Sequence, residues 1–178
     1  MQRGKGVLAV PGFIATYVRW VERLTRVIGR GAMYLIFVMA GVLLWSTLSK
    51  AFFQPAQWTL EMAQFTMAAY YLLGGGYSMQ IDGHVRMDLL YGMWSPRRKA
   101  LADCLTVSFL LFYLVMLLIG GISSTEYALQ YGEESYSSWA PYMAPIKIIM
   151  CIGIVLMLLQ VTASFLRDLA AARGRPMP

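Results

Sequence analysis

Long apolar runs alternate with short polar connections along this chain, and their periods separate one amphipathic helix from four uniformly apolar ones. Residues 13–30 carry Arg19, Arg23, Arg26 and Arg30 at three- and four-residue intervals. At about 100° per residue these fall within an arc of roughly 60°. Tyr17, Val21, Leu24 and Ile28 cluster on the opposite side, flanked by Phe13 and Trp20. This pattern predicts a helix lying in the membrane plane, its apolar face in the acyl boundary and its arginines toward anionic headgroups. A signal peptide is the rival reading. Against it, the apolar stretch from Val7 to Ala15 is short, broken by Pro11-Gly12 and followed by arginines. A simple topology anchor would carry the same pattern.

Four further runs approach the ~20 residues needed to cross a bilayer. They span about 31–49, 59–80, 100–122 and 145–166, leaving a tail of 167–178. The second carries Glu61 and Gln64 near its start and Gly74-Gly75-Gly76 later; the third has Asp103 in its first turn. Ser95-Pro96 reads as an N-cap followed by proline at the first helical position, and Pro145 can open the fourth run likewise. The predicted class is an all-α integral membrane protein, four transmembrane helices preceded by a cytoplasmic N-terminal segment, residues 1–30, that contains the in-plane arm helix.

Composition agrees. Of 178 residues, 58% are hydrophobic and 13% charged. The charged share is about half that of a soluble domain. The net charge of +6 does not signal nucleic acid, because the basic residues flank apolar runs rather than forming a soluble face. They set orientation instead. Arg3, Lys5 and the four arm arginines precede the first run; Arg86, Arg97, Arg98 and Lys99 fill the second connection; Arg167, Arg173 and Arg175 fill the tail. The first connection has only Lys50, and the third has Glu126, Glu133 and Glu134 with no basic residue before Lys147. Both termini are therefore expected in the cytoplasm. Cys104 and Cys151 fall near opposite faces on different helices in this arrangement, so no mutual disulfide is expected.

Few polar residues remain as candidates for chemistry. Glu61 is the acid most embedded in an apolar run, and small four-helix exporters couple to protons through one such carboxylate. It lies only about one turn inside the run, three residues after Trp58, where a carboxylate at a helix N-terminus beside an interfacial tryptophan is the simpler account. Gly74, Gly75 and Gly76 permit close helix approach, within this chain or against another subunit. Gly120-Gly121 offers the same in the third run. His84 and Asp88 are four apart with Arg86 between them, a positioned polar contact at headgroup level rather than a metal site. The connection Gly132–Trp139 is acidic, hydroxyl-rich and aromatic, and Glu133, Glu134 and Trp139 could meet a partner or merely water and headgroups. Lys147 is placed to extend toward the interface. No nucleophile–base pair or phosphate loop appears, which argues against an enzyme, and nothing calls for a cofactor.

The order of these features resembles the small permease subunit, of DctQ type, of tripartite ATP-independent periplasmic (TRAP) transporters. The resemblance rests on Trp58 and Glu61, then Gly74 to Gly76, then His84-Val85-Arg86-Met87-Asp88. Glu134-Ser135-Tyr136-Ser137-Ser138-Trp139-Ala140-Pro141, Pro145-Ile146-Lys147 and Leu159-Gln160 extend it, over roughly residues 17–168. The lead-in Lys50-Ala51-Phe52-Phe53-Gln54-Pro55 departs from it, lacking the arginine that many members place there. The resemblance implies a scaffold in the bacterial inner membrane for a large multi-span permease subunit. That subunit carries the transport path for sodium-coupled uptake of an organic acid or related solute, delivered by a periplasmic substrate-binding protein. Trp58, Glu61, the glycines, His84, Arg86, Asp88, Glu133, Glu134, Trp139 and Lys147 become candidate contacts with these partners, and the arm arginines candidate contacts with membrane lipids. A stand-alone proton-coupled exporter using Glu61 is the alternative.

Overall fold

The computed structural model describes residues 12–81 and 96–172, with side chains for 13–81 and 105–167. Among them are helices α1 (Gly12–Met33), α2 (Leu35–Phe52), α3 (Trp58–Gln80), α4 (Pro96–Tyr131) and α5 (Ala144–Ala172). Helix α4 starts on the proline expected to open it, because proline fixes a helical φ and needs no hydrogen-bond acceptor at that position. It ends at Gly132, which takes a φ of 61° while the Glu133 amide reaches back to the Ala128 carbonyl at 3.2 Å. This is the left-handed helix stop that glycine adopts without a Cβ clash.

The arm and the first apolar run meet at Tyr34 rather than near residue 30. The Tyr34 amide bonds the Gly31 carbonyl at 3.1 Å, and the Phe37 amide bonds the Tyr34 carbonyl at 3.1 Å. These i→i+3 bonds tighten the helix locally without ending it.

Among the described residues, three stretches are long and apolar enough to cross a membrane: Phe13–Phe52, which takes in both α1 and α2, Leu105–Tyr131 and Ala144–Arg167. The second expected span, α3, is long enough at 23 residues but is not among the three. Glu61, Gln64, the glycine run and several tyrosines lower its hydropathy. Its position explains how that composition is tolerated: α1, α2 and α5 all pack on it, and its buried positions are Thr59, Glu61, Ala63, Thr66, Ala69 and Gly76. A helix covered by neighbours need not be apolar all round.

Close contacts fix the directions. Leu72 meets Gly153 and Gly76 meets Leu156, so α3 and α5 run parallel. Ser46 meets Thr59 across the short α2–α3 connection, and Gly121 meets Cys151 and Ile154 across the α4–α5 connection. Helices α2 to α5 therefore alternate in direction. Helix α4 packs chiefly on α5, through a cluster of Leu114, Ile154 and Val161 with Leu72, Leu111 and Met157 around it.

Helix α1 does not lie free. Val18 and Val21 are buried against Ala163, Thr25 touches Gly76 and Gly29 faces Tyr77. The arm therefore passes from α5 to α3 across the same end of both helices. The apolar side expected to face acyl chains is in good part turned onto the protein, while Arg19, Arg23, Arg26 and Arg30 stay exposed. Phe13, Trp20, Val27 and Tyr34, seven residues apart, form an exposed apolar flank between those two sides.

Candidate functional site

At the end of the bundle where α2 meets α3 and α4 meets α5, Glu61 is only 7% exposed. The Ser135 hydroxyl donates to its Oε1 at 3.0 Å, while Oε2 has no partner. Ser135 can reach it because the α4–α5 connection folds back on itself. The Ser135 amide bonds the Pro141 carbonyl at 3.0 Å and the Met143 amide bonds the Glu133 carbonyl at 2.9 Å, with Glu134 bridged to Tyr142. The acidic, aromatic connection is thus a small paired structure. Ala140 at its turn holds a φ of 44°, with its amide bonded to the Ser137 carbonyl at 3.2 Å.

Lys147 closes this arrangement from the other side. Its ammonium pairs with Glu133 and lies 3.4 Å from the Ser124 carbonyl, so one side chain joins α5, the connection and α4. The lysine expected to extend toward the interface makes this ion pair within the chain. Trp58 and Trp139 are partly exposed at 38% and 41%, and Glu134 is exposed. Thr59, beneath Trp58, sets its hydroxyl 3.0 Å from that of Ser46 and 2.8 Å from the Ala56 carbonyl.

The glycine run divides between two uses. A Cβ on Gly75 would meet the Met157 sulfur at 3.0 Å, and one on Gly76 would meet Thr25 at 3.0 Å. Both glycines therefore serve packing within the chain. Gly74 and Gly120 face open space, while Gly121 packs on Cys151, a free thiol. The tightest approaches are at two glycines that sequence reasoning missed: a Cβ on Gly29 would lie 2.2 Å from Tyr77 Cβ, and one on Gly153 would lie 2.8–2.9 Å from Leu72 side-chain and backbone atoms. Each stands alone in its run, without the clustering that drew notice to residues 74–76.

At the opposite end, the arm is tied to α5 by polar contacts. Tyr17 and Thr162 hydroxyls lie 3.1 Å apart, and Arg167 pairs with Glu22 at 3.2 Å. Opposite charges at residues 22 and 167 were visible in the sequence, but nothing local linked positions so far apart. Arg30, with Met33, Tyr34, Phe37 and Tyr77, lines a cleft of about 330 Å³ where α1, α2 and α3 meet. His84, Arg86 and Asp88 lie outside the described residues, so their grouping stays an expectation. Among the described residues no cluster of three or more His, Cys, Asp or Glu side chains is placed to hold a metal ion.

This geometry is that of a packed bundle rather than a reaction centre. Glu61 bonds to the α4–α5 connection and Thr59 to α2, while Thr25 and Gln160 are buried with polar atoms unbonded among the described residues. The outward surfaces on α2 and α4 are large and apolar. No curated protein matches the chain. A family model does, that of the tripartite ATP-independent periplasmic transporters, DctQ component, over residues 39–171. The match takes in Trp58, Glu61, the glycine run and Lys147 and starts after α1, so the arm stands outside it. The chain therefore belongs to the DctQ component family, a membrane component of tripartite transporters and not an enzyme family.

Proposed function

We propose that this chain is a scaffold for the large permease subunit of its transporter, and that it neither carries substrate nor binds the coupling ion. The observation that carries this reading is the way α4 is held. It packs chiefly on α5 and leaves Phe109, Phe112, Tyr113, Met116 and Ile119 on its outward side. Glu61, Tyr17, Thr162, Glu22 and Arg167 are instead engaged in contacts within the chain, and Gln160 is fully buried among the packed helices. A path for a charged solute needs intramembrane polar groups facing a shared cavity.

In this reading α2 to α5 are four spans of the bacterial inner membrane, with both termini in the cytoplasm. The alternation of helix direction supports it, as does the placement of basic residues in the arm, the second connection and the tail. Helix α1 lies at the cytoplasmic surface with its arginines toward lipid headgroups. Glu134, Trp139 and Trp58 then face the periplasm, where a soluble substrate-binding protein delivers an organic acid or similar solute for sodium-coupled uptake.

The test is purification from native membranes followed by reconstitution. A large multi-span partner should co-purify. Sodium-driven uptake in liposomes should need that partner and the soluble protein, and this chain alone should show none. Uptake or proton-coupled efflux by the isolated chain, abolished by Glu61→Gln, would replace the scaffold with a self-sufficient carrier. Glu61 lies in the first turn of α3 and is bonded to Ser135, a setting that favours a structural role.

A further inference from the structure

Helices α1, α3 and α5 each carry a side chain with buried, unbonded polar atoms toward the arm end of the bundle. Thr25 Oγ1, Gln80 Oε1 and both amide atoms of Gln160 have no hydrogen-bond partner among the described residues. Thr25 is 1% exposed and Gln160 0%.

These helices come together around Gly76. A Cβ there would lie 3.0 Å from Thr25 Cγ2 and 3.6 Å from the Leu156 carbonyl oxygen, so α1, α3 and α5 meet at that point. Gln80 sits one turn beyond Gly76, and Gln160 one turn beyond Leu156, on parallel helices. Gln160 also belongs to the α5 stripe of Leu156, Ala163 and Arg167, whose other members face Gly76, Val18 with Val21, and Glu22.

Thr25 stands apart from other helical threonines. Thr47, Thr66, Thr125 and Thr162 each give their hydroxyl to the carbonyl four residues back. Thr25 rests its methyl group on Gly76 and leaves its hydroxyl unbonded. Buried hydroxyl and amide groups left unpaired lose their hydration without compensation, and interiors resolve this with ordered water.

We infer that this junction is an internal water site, in which one or two water molecules bridge Thr25, Gln80 and Gln160 and key the arm to the bundle. The donor balance fits. Gln80 Oε1 and Gln160 Oε1 accept, while the Thr25 hydroxyl and the Gln160 amide donate, matching the two hydrogens and two lone pairs of water. A metal cation would place the Gln160 NH₂ donor beside a positive charge. The site is independent of what the chain scaffolds, since it concerns only how α1 is held.

The test uses the protein in lipid nanodiscs, with any membrane partner that co-purifies. A high-resolution density map should show a peak at hydrogen-bond distance from at least three of the four atoms. Thr25→Val, which keeps the shape and removes the hydroxyl, should lower the melting temperature by about 2–4 °C. Thr47→Val, whose hydroxyl is bonded within its own helix, should leave it unchanged. Gln160→Leu combined with Thr25→Val should cost less than the sum of the two, because either change disrupts the same bridge. Melting should be the same in sodium, potassium and choline chloride. Direct contacts among the three side chains with no density between them, a melting shift specific to one cation, or a neutral Thr25→Val would each overturn the site. If Gln160→Leu does not fold, the map and the threonine pair still decide.

Discussion

Ser135 donates its hydroxyl to Glu61 at 3.0 Å, joining the α4–α5 connection to the first turn of α3 across 74 positions of sequence. The bond fixes the connection over the end of the bundle from one side, as the Lys147–Glu133 pair does from the other. Removing Ser135 leaves both carboxylate oxygens of a buried glutamate without a partner. Ser135→Ala should therefore destabilise the protein by about 1–3 kcal/mol. Glu61→Gln keeps an acceptor for Ser135 and should cost less. Thermal unfolding of the purified protein in one fixed detergent compares the two variants, and equal losses would show that the carboxylate charge, rather than the bond, matters.

Lys147 tests the other anchor. Lys147→Met removes the cation that joins Glu133 to the start of α5 and the carbonyl of Ser124. Hydrogen exchange over residues 132–143 should accelerate, while exchange in α1 stays unchanged. Uniform protection along the connection would mean that its backbone bonds suffice to hold it.

Glycine contacts should split by location. Gly153→Ala sets a Cβ against the backbone of Leu72, which cannot swing aside, and should cost about 1–3 kcal/mol by forcing α3 and α5 apart. Gly74→Ala and Gly120→Ala meet nothing within 4 Å and should leave thermal stability within about 1 kcal/mol of the parent. Gly74→Leu adds a reading on the scaffold. If α3 meets the large subunit at this position, the substitution should reduce co-purification without lowering the melting temperature.

Glu22 and Arg167 form a partly exposed pair, with side chains 23% and 41% exposed. Either Glu22→Arg or Arg167→Glu should loosen the arm, at a cost of about 0.5–1 kcal/mol. The double exchange should recover most of that loss. Cysteine cross-linking between positions 17 and 162, which the Tyr17–Thr162 contact brings together, reports whether the arm stays seated.

Three of the apolar runs coincide with an observed helix or lie inside one, since length and composition mark such segments, and the run at 100–122 sits well inside Pro96–Tyr131. The run at 59–80 is the Trp58–Gln80 helix, and the one at 145–166 sits inside Ala144–Ala172. Less was legible at the arm. The amphipathic period placed the arginines outside, as the structure has them, but could not say what the apolar side would touch. Period specifies a face, and only packing specifies its occupant. Val21 is consequently buried beside Ala163, with Tyr17 packed against the same cluster, where lipid was expected.

The sequence by itself determined that the chain is helical and strongly apolar, which residues could face outward, and the family, through Trp58, Glu61 and the motifs that follow. These depend on composition and on local order, which a linear chain carries in full. Only the tertiary structure decided which polar groups meet. Glu61 finds Ser135, Lys147 finds Glu133, and Glu22 finds Arg167, while Thr25 and Gln160 are buried with polar atoms unbonded among the described residues. It also decided that Gly75 and Gly76 serve packing within the chain, and that Gly29 and Gly153 make its closest approaches. Where much of the outer surface is apolar, hydrophobicity cannot choose a helix's neighbours; small residues and paired polar groups do, and their partners lie dozens of residues away.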